Sequence, residues 1–568
     1  MSWPSRNVKS WISRCKSTIH LTLGPGTVIG PAAQRPVPAA PLKRRGLKGV
    51  PVKKHPIKQT TERRVSASLR IALVLVLLVV NIAAVMLLAF FLQTHAAIAF
   101  MLLEVIAIAV AVGIQSKPTP ASYRLAWTLL VVALPVGGMI LYVLWGGNIQ
   151  SKRLNLLPLK PPPSREMERR QSEADQERLG NALPNWKRAS RMLSCRGFLL
   201  YRDTELTYFS SGGAFFEDAI ERMRKAERFI FLEYFILAEG RLWDRMLYVL
   251  IDRVRSGVEV KIIFDDFGNI TRMRNETIEL MREEGMEVCV FNPVHQYVNR
   301  LYFNYRDHRK ILCVDGQYAY TGGVNVADEY VGLLVRFGEW RDSGVLLDGP
   351  GAWGLTAQFL HMWEMLGGRA HNEHDYYRPV YARNTTGFCQ PFADGPINNP
   401  DNPAEDLYFQ CIANAHRSIW LTTPYFAVED SIVRALCMAA DSGVDVRLML
   451  PGVPDHRYTQ IVAGSYYELL LRHGIRIYEF TPGFLHAKSL LADGEIAVLG
   501  TINMDYRSFQ LHHECGVAVY GTPLLQDLQA DMEDIISRSA PVDGKQWAGR
   551  SWFRKLLEKV LRIFSIWM

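Results

Sequence analysis

The sequence predicts an α/β protein built as two tandem, related halves that form one catalytic unit, preceded by transmembrane helices. Three observations carry this expectation. Long apolar runs crowd the first quarter of the 568-residue chain. From about Arg202 onward, helical stretches alternate with short apolar, β-branched and aromatic runs, the signature of α/β architecture. That second pattern occurs twice.

Residues 1–70 hold fifteen Lys or Arg and one acid, Glu62, in a tract rich in Pro, Ser and Gly. Such a tract is expected to be disordered. A basic, acid-poor N-terminus also fits a transit peptide, but the apolar runs behind it give the plainer reading of a charged membrane flank. The membrane region is expected over residues 71–145, with runs at about 71–92, 96–114 and 125–144. Glu104 interrupts the second run, and Tyr142 and Trp145 end the third at an interface. Two or three spans are both compatible with these runs. The weakly basic flanks do not choose which membrane face bears the remaining chain. A Pro-rich linker and a helix occupy residues 146–200; "LLPLKPPPS" is a stiff spacer. The eight cysteines show no C-x-x-C pair, which argues against a zinc ribbon or disulfide scaffold.

The repeat sets the two halves at about 201–379 and 380–540. "AERFIFLEYFI" is matched by "AHRSIWLTTPYF", "SGVEVKIIFDD" by "SGVDVRLMLPG", and "EGMEVCVFNP" by "HGIRIYEFTP". Each half closes on the same element. The first supplies His308, Lys310, Asp315, Gly322, Gly323 and Asn325; the second supplies His486, Lys488, Asp493, Gly500, Thr501 and Asn503. The offsets are identical, H-x-K-x4-D-x6-G-[GT]-x-N, at matching places in two repeats.

Spacing explains the chemistry. "HRKILCVDG" and "HAKSLLADG" read as a strand, an Asp-Gly turn and a return strand. Residues two apart on a strand share a face, so His and Lys of each motif address one bound group. Glycines on the return strand are expected to let a ligand approach the backbone, and the Asn amides to donate to it. Two lysines and two asparagines suit a phosphoryl group, leaving two histidines to act from opposite sides. Paired histidines also serve metals, but the neighbouring lysines disfavour a cation, so a metal-free and cofactor-free scheme is expected.

These motifs resemble the H-x-K-x4-D signature of the phospholipase D superfamily. "YFNYRDHRKILCVDG", "TGGVNVADEY", "EWRDSGV", "TTPYFAVED", "YEFTPGFLHAKS" and "MDYRSFQLHHE" are similar to stretches of its bacterial cardiolipin synthases, with coverage from about Ala96 to the C-terminus. "QLHHE" departs from the Leu-Asn-x-Glu of that family. The resemblance implies a multi-pass protein of the cell (inner) membrane that transfers a phosphatidyl group between two phosphatidylglycerols, giving cardiolipin and glycerol. It implies His308 as nucleophile and His486 as acid and then base, and near-symmetry leaves the reverse assignment open. Lys310, Lys488, Asn325 and Asn503 would hold phosphate oxygens, while Asp315 and Asp493 match the motif carboxylates and organise the turns. Asp342 and Glu514, each ahead of an apolar strand-like run, are suited to orient the histidines. His512 and His513 are expected at the pocket rim or simply exposed.

Residues 541–568 form a basic amphipathic helix, with Trp552, Phe553, Leu556, Leu557, Val560, Leu561 and Phe564 at helical spacing. It is suited to an anionic bilayer surface or to docking on the catalytic unit. The rival readings are a hydrolase of the same superfamily, acting on phospholipid or on nucleic acid, and a non-catalytic membrane scaffold. The membrane runs disfavour nucleic acid and the two complete motifs disfavour the scaffold.

Overall fold

The computed structural model describes residues 96–117, 119–146, 166–293, 305–370, 374–396 and 401–567, with single positions between 76 and 90. The basic tail, most of the first apolar run and the Pro-rich spacer lie outside these residues.

The second apolar run forms helix α1 (Ala96–Gln115), uncapped by charge at either end. Its stretch Ile98–Gln115 is long and apolar enough to cross a membrane, and it is the one such helix among the described residues. Met101, Val105 and Val112 leave 60–65% of their surface exposed, as a lipid-facing helix would. The third run does not form one continuous helix. It breaks into α2 (Ala121–Ala133) and α3 (Pro135–Leu141), followed by a wide turn at Tyr142–Gly146. Pro135 has no N–H for the preceding turn and disfavours helix at Leu134, which sits at φ −129°. The pieces fold back on α1, with Trp127, Val131 and Leu141 packed against Ala107 and Ile114. A side chain at Gly138 would lie 2.3 Å from the Leu130 carbonyl oxygen, so only glycine admits this approach.

The expected helix around residues 164–193 forms as Glu166–Ala182 and Lys187–Cys195, separated by a tight turn at Pro184–Trp186. Two sheets follow. The first half lays down β1 (Glu205–Phe209), β2 (Phe229–Tyr234), β3 (Glu259–Asp265), β4 (Glu287–Phe291), β5 (Arg306–Asp307), β6 (Lys310–Val314), β7 (Tyr318–Gly322), β8 (Glu339–Arg341) and β9 (Gly344–Asp348). The second lays down β10 (Phe388–Asp394), β11 (Ser418–Thr422), β12 (Phe426–Ala427), β13 (Asp445–Pro451), β14 (Arg476–Phe480), β15 (Gly483–Leu485), β16 (Ser489–Ala492), β17 (Ile496–Gly500), β18 (Met504–Asp505), β19 (His512–Tyr520) and β20 (Ser539–Pro541).

The strand orders are β1-β9-β7-β6-β2-β3-β4 and β10-β19-β17-β16-β11-β13-β14-β20. Apart from β20 the second order repeats the first. In both, the helix-linked strands run parallel (β2 with β3, β11 with β13) and the motif hairpins β6–β7 and β16–β17 add antiparallel. The motif strands are buried throughout, which explains their unbroken apolar runs. One core joins the halves: Phe229, Ile311 and Val345 share a cluster with Leu485, Leu499 and Val517, and helix α4 (Ala352–Met365) lies within it.

Two further pairings cross between the halves. β5 of the first half pairs with His512–His513 of β19, and β15 of the second pairs with β8 of the first. Each half therefore pairs the strand just ahead of its own motif histidine with a strand of the other half, β5 on the edge of the second sheet and β15 in a separate two-stranded ladder with β8.

Asp315 and Asp493 stand at the hairpin turns, in the left-handed region at φ 54° and 55° that Asp tolerates. Asp493 accepts the backbone N–H groups of His416, Arg417 and Ser418 at 2.7–2.8 Å, and Asp315 does the same for Glu227, Arg228 and Phe229. Asp493→Ala is expected to lose about 3 kcal/mol, because three N–H groups lose a charged acceptor. Its unfolding midpoint in detergent drops, and an unchanged midpoint would contradict this anchoring.

Candidate active site

Each motif strand begins at the seam between the halves. The His308 amide donates to the His513 carbonyl at 2.9 Å, and the His486 amide to the Arg341 carbonyl at 2.7 Å. These bonds continue the crossed pairings and bring both imidazoles into one buried pocket, 8% and 6% exposed.

The carboxylates cross over as well. Glu514 of the second half sits 2.9 and 3.0 Å from Nδ1 of His308. Asp342 of the first half sits 2.6 Å from Nδ1 of His486. An imidazole whose Nδ1 donates to a carboxylate keeps Nε2 as its free basic nitrogen. Neither half thus holds its own histidine.

The return-strand residues support this brace. A side chain at Gly323 would lie 2.0 Å from Asp342 Oδ1, so glycine makes room for that carboxylate. At the matching position Thr501 donates its hydroxyl to Glu514. Gly322 and Gly500 face the backbones of Ser343 and Cys515, each 2.4 Å from where a Cβ would stand. The glycines therefore admit a neighbouring strand and its carboxylate, and not a ligand as their small size had led one to expect.

Lys310 and Lys488 are buried on the same face as their histidines. Lys310 Nζ donates to the His308 carbonyl at 2.7 Å, and Lys488 donates likewise to His486. One bond each leaves further ammonium protons for a ligand. Asn325 is clamped: its Oδ1 accepts the Ile236 amide at 3.1 Å and its Nδ2 donates to the Tyr330 hydroxyl at 2.8 Å. Asn503 keeps a buried Oδ1 with no hydrogen-bond partner among the described residues.

The electrostatics tie the motifs together. Burial, and then the charges of Lys310 and Lys488 and the nearby His486, hold His308 well below its usual pKa. Burial and Lys488 push His486 down to about 4, against the pull of Asp342. Burial pushes Lys310 down to about 8 and Lys488 to about 7, with Lys310 adding to the effect on Lys488. Such mutual influence places all four groups close to one another, where an anion would offset two neighbouring cations.

Aromatic walls that the motifs did not reveal complete the pocket. Phe235 lies 5.2 Å from the His308 ring; Tyr330, Trp340 and Phe484 lie 5.3–5.5 Å from His486. Tyr330 was findable as the end of "NVADEY", five residues beyond Asn325, and Trp340 as the residue two before Asp342. Of the two places expected for them, pocket rim or exposed surface, exposure does not hold: His512 and His513 are buried, because the crossed pairing with β5 covers them. The His512 ring stands 5.4 Å from His308, where the other half has Trp340 beside His486. His308, His512 and Glu514 bring ligand atoms within 4.8 Å of one another, a set able to hold a metal ion. Glu514 is already committed to His308, and two ammonium groups share the pocket, so its charge suits an anion better.

Two sequence families match this architecture. The one described as "Cardiolipin synthase, PLD-like domain" matches residues 219–349 and 408–536, one segment per half. "Phospholipase_D-nuclease N-terminal" matches residues 102–147, the α1–α3 region. Cardiolipin synthase 2 of Bacillus cereus is 32% identical over 78% of this chain and 86% of its own length. The cardiolipin synthase of Geobacillus kaustophilus is 33% identical over 81% and 92%. Among solved structures, phosphatidylserine synthase of Haemophilus influenzae superposes with a TM-score of 0.50 at 14% identity, over 67% of this chain and 97% of its own; that likeness is one of fold. With two matched phospholipase D-like segments and relatives similar along most of both chains, this protein belongs to the cardiolipin synthase family of the phospholipase D superfamily.

Proposed function

We propose that the protein is a phosphatidyltransferase that joins two phosphatidylglycerols into cardiolipin and releases glycerol, working as a multi-pass protein of the cell membrane. The observation that carries this reading is the crossed brace: two imidazoles, each held by the other half's carboxylate, share one pocket with two lysines.

Nε2 of His308 attacks phosphorus of the donor lipid, forming a P–N bond as the P–O bond to glycerol breaks. His486 gives its proton to the departing glycerol oxygen. A hydroxyl of a second phosphatidylglycerol then attacks phosphorus, its proton passes to His486, and His308 is released. Lys310 and Lys488 hold the non-bridging oxygens and take up the charge that builds there. His486 is neutral in the empty pocket; the bound phosphodiester's negative charge raises its affinity for the proton it must deliver. Asp342 and Glu514 act by positioning, while Asp315 and Asp493 act on the hairpins.

The membrane supplies the substrate. Helix α1 exposes its apolar side chains, and the C-terminal helix does so in an unexpected way. That helix, Trp552–Ile563, docks on the catalytic unit through its polar side: Arg562 pairs with Asp430, and Glu558, 1% exposed, pairs with Arg550, which also reaches Glu468 at 3.1 Å. Trp552, Phe553, Leu556, Val560 and Phe564 point outward, 42–74% exposed. A docked helix that turns its apolar face to solvent fits insertion into a lipid surface. Docking and lipid contact, alternatives in the sequence, thus use opposite faces of one helix.

Purified protein in phosphatidylglycerol micelles is expected to yield cardiolipin and glycerol in equal amounts, unaffected by chelators. Phosphatidic acid as the product would make it a hydrolase. His308→Ala and His486→Ala each lower turnover by about 10³-fold or more. Glu514→Gln keeps the shape but loses the charge that fixes the tautomer, and costs about 10²–10⁴-fold in kcat; wild-type rates would refute the brace.

The pH dependence of kcat/KM reports the free enzyme. Lys488 and then Lys310 lose charge as pH rises through about 7 and 8, so kcat/KM falls across that window. His308 must be unprotonated at Nε2 to attack, and burial together with the nearby lysines holds it well below its usual pKa, which places the acid limb well below the ordinary histidine range. A plateau extending past pH 9 would contradict this assignment.

A further inference from the structure

A cavity of about 780 Å³ lies beside the catalytic pocket, where the start of α2, the segment after β12 and the C-terminal helix meet. Its size is that of a small-ligand site. Three features define what it can take.

First, its walls come from the apolar hairpin and the C-terminal segment. One wall is the Pro120–Leu125 end of the membrane hairpin, with Leu125 half exposed. Another carries Ile563 and Ile566 of the C-terminal segment, whose outer face is apolar. Ile566 packs with Ala126 of α2 and Tyr506 of the second half, so the membrane hairpin and the C-terminus are fastened at this corner.

Second, its chemistry is that of a phosphate and hydroxyls. The Lys559 ammonium, exposed, is in no ion pair among the described residues, whereas Arg562 is committed to Asp430 and stacks 4.1 Å over Tyr466. Glu405, Glu429 and Asp430, the last paired with Arg562, also face the cavity. Glu429 accepts the Ser122 hydroxyl and Glu405 accepts the Gln510 amide at 3.1 Å. Burial pushes both carboxyls upward, which cuts their repulsion of an anion and lets them pair with hydroxyls.

Third, its wall packs against segments that lead into the catalytic pocket. Tyr506 follows Asn503 by three residues, and β18 between them pairs with β12 on the cavity wall. Tyr506 packs with Tyr305, three residues before His308, and with Leu511, next to His512. The cavity wall thus packs beside the segment leading to His308 and beside His512, and contains no residue of either motif.

We propose that this cavity seats the headgroup of a second glycerophospholipid, one bearing a phosphodiester and free hydroxyls, and that it serves as the acceptor. This rests on the transferase reading above and extends it: the donor occupies the histidine pocket, and the acceptor waits at the hairpin corner. Lys559 takes its phosphate, Glu405, Glu429 and Tyr506 take its hydroxyls, and Leu125 and Ile563 flank its chains.

The test separates the two half-reactions in the full-length protein in phosphatidylglycerol–detergent micelles. Exchange of labelled glycerol into phosphatidylglycerol needs only the donor site, with glycerol as the returning alcohol. Cardiolipin formation needs the acceptor lipid too. Lys559→Glu, and Leu125→Trp, which fills the cavity without changing charge, are each expected to lower the ratio of cardiolipin formation to glycerol exchange at least fivefold and to raise the phosphatidylglycerol concentration needed for half-maximal cardiolipin formation. Loss of both rates in proportion, as a folding or membrane-docking defect would give, overturns the proposal, and so does an unchanged ratio. Glycerol 3-phosphate shares the headgroup chemistry without the chains. Competition by it at low millimolar concentration would assign the seat to a soluble ligand and overturn the lipid assignment. A wild-type enzyme that exchanges glycerol but makes no cardiolipin would instead refute the transferase reading itself.

Discussion

The crossed pairs His308–Glu514 and His486–Asp342 are the contacts on which the remaining structure depends. Two imidazoles, two ammonium groups and two carboxylates are buried together, and burial of unpaired charge costs several kcal/mol per group. The cost is offset because each imidazole finds its carboxylate across the seam, while each ammonium donates to the carbonyl of its own motif histidine. Removing one partner leaves the other uncompensated, a loss of about 3–5 kcal/mol for a buried pair. The strand pairings β5–β19 and β8–β15, the shared core around α4 and the close packing at Gly323 all serve to hold this seam. It follows that neither half can build a working site alone, although each carries a complete motif.

The same brace explains a division of labour within the H-x-K-x4-D pattern. His and Lys share a strand face and reach the pocket. The aspartate sits at the hairpin tip, where it gathers three backbone N–H groups from the start of the neighbouring β2 or β11 strand. The pattern is thus two functions on one hairpin, a chemical face and a structural anchor.

Much of this was legible before any coordinates. Period-two spacing placed His308 with Lys310 and His486 with Lys488, and the repeat implied two equivalent sheets. Asp342 and Glu514 were recognisable as carboxylates ahead of apolar strands, but their exchange between halves was not. Sequence patterns report which face a side chain occupies, not which sheet receives the strand. The same gap hid the burial of His512 and His513, covered only by the crossed β5. The third apolar run misled because hydropathy counts Pro135 as one residue among twenty, whereas its ring and missing N–H end a helix. The C-terminal helix showed its two faces clearly; what it could not show is that the pairs Arg562–Asp430 and Arg550–Glu468 turn the polar face inward.

The most direct measurement is the identity of the covalent intermediate. Protein turning over phosphatidyl-labelled lipid would be quenched within a single turnover under conditions that preserve a P–N bond, and its peptides mapped by mass spectrometry. The account predicts a phosphatidyl adduct on the imidazole of His308, formed and consumed at the rate of turnover. The absence of any adduct on that timescale, or an adduct on a side chain outside the two motif histidines, would contradict it.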